Sequence, residues 1–258
     1  MNNHKLQPFV RLDSLKKVFN INGEEFLAVQ DFSLNVMEGE LVSIVGPSGC
    51  GKSTVLSMLA DLFEPSDGAI EIGNELQPFY PGRDIGMVFQ KPLLLKWRTI
   101  FDNVLLPAEI LGLPVNESRD RANDLINMVG LNDFKNAYPG QLSGGMQQRA
   151  SIARALIHDP SLILMDEPFG ALDALTRERM NLELLRIWKE SGKTILFVTH
   201  GIQEAVFLGS QVAVMTSSPA RMADQFKVKL PEPRNLAIKS TKEFGEYTRR
   251  IYKLLGMN

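Results

Sequence analysis

A glycine-rich stretch, Gly46-Pro47-Ser48-Gly49-Cys50-Gly51-Lys52-Ser53-Thr54, lies between a short apolar run, Leu41–Val45, and a segment with helical apolar spacing. Glycine, four residues, then Gly-Lys-Ser is the pattern of a loop that holds phosphates. Its glycines let the backbone approach closely and take positive φ, so successive N–H groups converge on phosphate oxygens. The helix that follows adds the positive end of its dipole. Lys52 is expected to reach the β- and γ-phosphates, and Ser53 to offer its hydroxyl to Mg2+. An ammonium–phosphate pair near a surface is worth about 4 kcal/mol before desolvation is subtracted. Alone, the motif specifies a nucleoside triphosphate and nothing narrower.

A second apolar run, Leu162–Met165, closes on two carboxylates, Asp166 and Glu167. Asp166 is placed to hold Mg2+, directly or through water. Glu167 is placed to polarise a water for in-line attack on the γ-phosphate. The competing reading is a solvated acidic turn, but adjacent carboxylates repel and a nearby cation relieves that repulsion. His200 closes a third apolar run, Thr194–Thr199, as a candidate donor to the γ-phosphate or holder of the water; the alternative is an ordinary turn residue. Gln90, after Ile85–Phe89, carries a carbonyl able to sense the metal or the water, and alone it is worth little.

Leu142-Ser143-Gly144-Gly145-Met146-Gln147-Gln148-Arg149 opens another helical run, so a serine and two glycines stand at a helix N-terminus. That is a second anion-binding arrangement, set against the plain reading of a capped glycine turn. One chain cannot readily bring two such sites to one nucleotide. Two chains arranged head to tail can.

These residues need rigid elements behind them. Leu12–Phe19 and Phe32–Met37 read as strands, with Asn22-Gly23 as a turn between them. Leu41–Val45, loop, then Lys52–Leu62 is strand, loop, helix, with Val55, Leu56, Leu59 and Leu62 on one helical face. Ala122, Leu125, Ile126 and Val129 recur at helical spacing and, with Ile100–Leu111, predict a helical insert over about 91–150. Strand–helix alternation then resumes, with a helix over Ala174–Glu190 capped by Asp173 and stopped by Gly192. Gln211–Thr216 is a further strand candidate, and a last amphipathic helix bears Phe244, Tyr247, Ile251 and Leu255. The alternation predicts an α/β core with a mostly parallel sheet.

Composition is that of an ordinary globular protein: 258 residues, 44% hydrophobic and 22% charged. With 30 acidic against 28 basic side chains there is no basic excess of the kind nucleic-acid binders carry, so no nucleic-acid partner is expected. The single cysteine, Cys50, excludes an internal disulfide. No apolar run approaches the roughly 18 residues that span a bilayer, so a membrane role requires a partner protein. Residues 1–6 show no apolar core followed by a cleavage site, and no signal peptide is expected.

Taken in order, these motifs resemble the ATP-binding-cassette (ABC) ATPase family over nearly the whole chain. Gly46–Thr54 resembles Walker A, Leu162–Asp166 Walker B, Gln90 the Q-loop and Leu142–Met146 the signature. Ala171-Leu172-Asp173 resembles the D-loop, His200 the H-loop, and Phe19 occupies the place of the aromatic residue that stacks on adenine. Met146 departs from the family's usual glutamine, at a position variable in importer subunits.

The resemblance implies a P-loop NTPase (RecA-like) core with a mostly parallel sheet, an antiparallel β subdomain at the N-terminus and an inserted helical subdomain carrying the signature. It places the cassette at about 8–235 and a C-terminal helical extension at 236–258. It further implies ATP and Mg2+ as cofactors, Ser53, Gln90 and Asp166 at the metal, and Glu167, His200 and Gln90 as catalytic. Two copies would sandwich ATP, bound to permease subunits at the cytoplasmic face of the membrane, with an extracytoplasmic solute-binding protein upstream.

Phe89–Arg98 and Asp102-Asn103-Val104 are similar to the nitrate, sulfonate, taurine and pyrimidine-precursor uptake group, although Lys96 replaces a proline common there. Leu93–Arg98 would form part of the socket for the permease. The alternative is a soluble ABC ATPase of DNA repair or translation. The long heptads of the first and the two cassettes of the second are not seen. Cys50, beside a helix N-terminus, is expected to react with maleimide, with ATP protecting.

Overall fold

The computed structural model describes residues 7–73, 79–216 and 219–257. Residues 1–6, where no signal peptide is expected, lie outside the described residues. Along the chain run β1 (Val10–Ile21), β2 (Glu24–Val36), β3 (Leu41–Val45), α1 (Lys52–Leu59), β4 (Asp67–Ile72), α2 (Pro81–Asp84), β5 (Ile85–Val88), α3 (Ile100–Ile110), α4 (Val115–Met128) and α5 (Gly144–Leu156). There follow β6 (Leu162–Asp166), α6 (Ala174–Ser191), β7 (Thr194–Thr199), α7 (Ile202–Leu208), β8 (Gln211–Met215), β9 (Met222–Lys227) and α8 (Lys242–Leu254). The chain divides into two units, Met1–Pro81 with Thr194–Asn258, and Gly82–Lys193.

In the first unit, β1 and β2 form a hairpin through Asn22 and Gly23, both at positive φ (55° and 88°), and β4 pairs with the other edge of β1. This antiparallel sheet has the order β2-β1-β4. Positive φ at both turn residues gives the twist a two-residue hairpin needs. The other sheet segment centres on β3, paired in parallel with β7 and β8, with β9 antiparallel to β8. Every residue of β3 and β7 is buried, as strands covered on both faces must be. Helix α7 packs on β3, β7 and β8, and α8 packs on α7 through its buried Phe244 and Ile251.

In the second unit, β5 and β6 pair in parallel, and α5 packs against β5, α3, α4 and α6. Ala122, Leu125, Ile126 and Val129 are all buried, so the helical spacing read from the sequence marks the packed face of α4. Asp173 caps α6 by accepting from the Thr176 N–H at 3.1 Å, and Gly192 ends it at φ 64°. The fold is the α/β class with parallel strands that the alternation predicts.

Helix α1 departs from its expected span. It ends at Leu59, and Leu62 is 60% exposed. Asp61 takes φ 58°, its N–H bonds the Met58 carbonyl, and the Leu62 N–H bonds the Ser57 carbonyl. This paired closure uses up the last carbonyls and turns the chain away before Leu62 reaches the core.

Candidate nucleotide-binding site

Gly46 leaves β3 immediately after Val45, and Val45 pairs with Thr199 of β7. Gly46 and His200 therefore emerge side by side at the carboxyl ends of adjacent parallel strands, where α/β sheets place their ligands. A Cβ on Gly46 would lie 2.5 Å from the Met215 carbonyl oxygen, so only glycine fits. Gly51, at φ 104°, leaves 3.0 Å between such a Cβ and both the Ala28 oxygen and the Ala220 Cβ. Between them the Cys50 N–H bonds the Pro47 carbonyl at 3.3 Å, and Gly49 turns at φ 75°. The first helical bond of α1 runs from Val55 to Gly51 at 3.1 Å, which sets the helix's positive end on the loop.

Lys52 is only 3% exposed, and its ammonium donates to the carbonyls of Gly46 and Pro47, both at 2.9 Å. The loop is thus curled around the cation. Ser53 is exposed, Ser48 and Gly49 are exposed, and Thr54 is half-buried. Cys50 is 2% exposed, its sulfur 3.0 Å from where a Gly46 Cβ would stand. The loop thus packs over the thiol on which the maleimide expectation rests.

Phe19 lies on β1, half-buried, edge-on to Phe63 with ring centroids 5.6 Å apart. The Lys17 ammonium stands 5.2 Å from the Phe19 centroid and 5.7 Å from that of Phe63, and donates to the Glu64 carbonyl at 2.6 Å. Phe63 was not legible in the sequence, because it follows the helix in an irregular segment.

In the second unit the same geometry recurs. Val88 pairs with Met165, so Gln90 and the Asp166–Glu167 pair leave neighbouring strands at one end. Asp166 and Glu167 are half-buried and Gln90 is exposed. Glu167 takes φ 44°, and its carbonyl accepts the Gly170 N–H at 3.0 Å. A Cβ on Gly170 would sit 3.0 Å from the Gln90 amide nitrogen and 3.7 Å from a Glu167 carboxylate oxygen, so this glycine lets the two side chains converge. Ser143 caps α5 by accepting from the Met146 N–H at 3.4 Å, with Ser143 and Gly144 exposed. A Cβ on Gly145 would lie 3.0 Å from the Thr176 methyl, and one on Gly144 3.6 Å from Leu172, which sets the signature tip against the start of α6.

A glycine loop closing on a lysine at the end of one parallel strand, with carboxylates ending another, defines a phosphate-loop nucleoside triphosphatase. The family model described as ABC transporter matches residues 29–170. An uncharacterised ABC transporter ATP-binding protein of Methanocaldococcus jannaschii is 44% identical over 247 residues, covering 95% of this chain and 91% of that one. A taurine import ATP-binding protein of Jannaschia sp. (strain CCS1) is 41% identical, covering 92% and 88%. Among solved structures, a dimeric ATP-binding cassette in a post-hydrolysis state with ADP and Pi is 35% identical, with TM-score 0.72, covering 86% of this chain and 100% of that one. The chain belongs to the ABC transporter ATP-binding family, and it binds and hydrolyses ATP.

Proposed function

We propose that this protein energises an importer: two copies close head to tail around ATP and reopen after hydrolysis, driving a partner permease. The observation that carries the catalytic reading is Glu167, held on left-handed backbone at the end of β6 beside the Gln90 side chain. A non-glycine residue in that conformation marks a position fixed by its surroundings, and such positions cluster at functional sites.

Phe19 stacks on adenine, and the N–H groups of Gly46–Thr54 surround the phosphates. Lys52 exchanges the Gly46 and Pro47 carbonyls for phosphate oxygens. Glu167 accepts the proton of the attacking water, Gln90 helps hold that water, and His200 donates to the γ-phosphate, so ATP and water give ADP and phosphate. Ser143, Gly144 and Gly145 serve the nucleotide of the partner copy.

The donor set fits a Mg2+ that arrives with its nucleotide. Among the described residues no group of three or more His, Cys, Asp and Glu forms a cage. Mg2+ prefers one or two carboxylates plus substrate phosphates, and Ser53, Gln90 and Asp166 would hold it. Bound there, it offsets charge on the β- and γ-phosphates.

Leu93 is 56% and Trp97 75% exposed, an apolar pair just past Gln90 suited to a permease helix. Among the described residues no helix is long and apolar enough to cross a membrane. As the ATPase of an importer, the protein sits peripherally at the cytoplasmic face against its permease, with a solute-binding protein delivering cargo outside. The taurine-import name of the 41% identical relative favours a small sulfonate-bearing solute, and a heterocyclic one rests only on the resemblance of Phe89–Arg98 to the wider uptake group.

The test is Glu167→Gln. It should bind ATP with unchanged affinity while turnover falls by about 10²-fold or more, the share a positioned base supplies. Normal turnover would remove Glu167 from this role. Reconstitution with the co-purified permease and a solute screen tests import.

A further inference from the structure

Arg177 is the fourth residue of α6, and a cation in the first turn of a helix sits at the wrong end of its dipole. Its guanidinium turns back onto the preceding loop. The Nε donates to the Phe169 carbonyl at 3.2 Å, and one terminal nitrogen donates to the carbonyls of Gly170 at 3.4 Å and Leu172 at 2.9 Å. Phe169 and Gly170 lie in the turn that begins at Glu167 and closes through the Gly170 N–H, and Leu172 closes the next turn by donating its N–H to the Phe169 carbonyl at 3.1 Å.

Glu167 is at φ 44°, a conformation that persists only where neighbours over-determine it. Gly170 closes the turn from within, and Arg177 gathers its carbonyls from without. The same turn sets the gap where Gln90 and Glu167 approach, since a Cβ at Gly170 would come within 3.0 Å of the Gln90 amide. A planar fork of five N–H donors can serve three carbonyls at once, whereas an ammonium is a compact, strongly hydrated charge.

We propose that Arg177 is a positioning residue for ATP hydrolysis, its guanidinium holding the 167–172 turn so that the Glu167 carboxylate meets the attacking water. This rests on Glu167 as the general base. Misplacing a catalytic group by about 1 Å costs up to roughly 10²-fold in rate, so the effect belongs in kcat.

The test is ATPase kinetics and calorimetric ATP binding on the purified chain, with Arg177→Met, Arg177→Lys, Glu167→Gln and the Arg177→Met/Glu167→Gln double variant. Arg177→Met should lower kcat by about ten-fold or more with KM and Kd for ATP within about two-fold, and Arg177→Lys should fail to restore it. In single-turnover measurements on the Glu167→Gln background, Arg177→Met should cost nothing further, because the group it positions is already gone. An equal fold-loss in both backgrounds, a rise in KM matching the fall in kcat, or an unchanged kcat overturns the proposal. If Arg177→Met does not fold, Arg177→Lys, which keeps charge and stem, takes its place in the same cycle. Normal hydrolysis by Glu167→Gln alone would sink the general-base reading instead, so the two failures are told apart.

Discussion

The Gln148 side chain, 1% exposed on α5, donates its amide to the Phe89 carbonyl at 3.1 Å. Six residues along the same helix, Arg154 donates to the carbonyls of Pro92 at 2.7 Å and Leu93 at 2.8 Å. The helix whose tip is Ser143 thus grips the backbone on both sides of Gln90. Replacing Gln148 with leucine strands a partly buried carbonyl and should cost about 1–3 kcal/mol in urea unfolding.

Arg154→Met should free the segment that carries Trp97. In a Trp188→Phe background, steady-state anisotropy of Trp97 should fall while circular dichroism stays the same. Unchanged anisotropy would mean that packing, not Arg154, holds the segment.

The glycines of the phosphate loop are not equivalent. Gly46→Ala forces a methyl to within 2.5 Å of the Met215 oxygen, whereas a Cβ at Gly49 meets nothing within 4 Å and only φ 75° opposes it. Gly49→Ala should therefore cost about 1–2 kcal/mol and keep ATP binding. Gly46→Ala should lose nucleotide binding and melt much earlier, as thermal melts with and without ATP will show.

Cys50, buried beneath the loop, should react with maleimide far more slowly than a free thiol. Modification should track opening of the loop, so ATP, which binds the closed form, should slow it further. A rate near that of a small thiol would contradict this packing.

His158 places Nε2 3.0 Å from the Ile85 carbonyl. Burial pushes its pKa down and nearby Arg121 adds to this, outweighing the opposing hydrogen bond to Ile85 and the charges of Asp159 and Asp84. The folded chain therefore holds neutral imidazole where the unfolded chain, with an ordinary value of about 6.5, is already taking up a proton. Stability from this residue is present above about pH 6.5 and is lost as pH falls through the interval below it. His158→Gln should flatten that acid-side slope in thermal midpoints measured from about pH 5 to 8.

The strand ends and the phosphate loop were legible because their chemistry is contiguous: Gly46–Thr54 and Leu162–Glu167 each carry motif and element together. Strands β4 and β9 and helix α7 are not legible in the sequence: β4 is short and mostly exposed, and the seven-residue α7 is too short to show a period. Arg177, Gln148 and Arg154 were missed because their partners are backbone carbonyls, which leave no mark on residue type. Arg177 alone left a signal, a cation in the first turn of a helix.

In the proposed assembly two chains trap ATP between the phosphate loop of one and the Ser143 tip of the other. Its most direct test is the mass in solution of Glu167→Gln, by light scattering with and without ATP. The mass should be twice that of the chain with ATP and that of a single chain without it, and it should return to the single-chain value on adding Ser143→Arg while calorimetry still detects ATP binding. A single-chain mass in saturating ATP, or a dimer indifferent to Ser143→Arg, would contradict it.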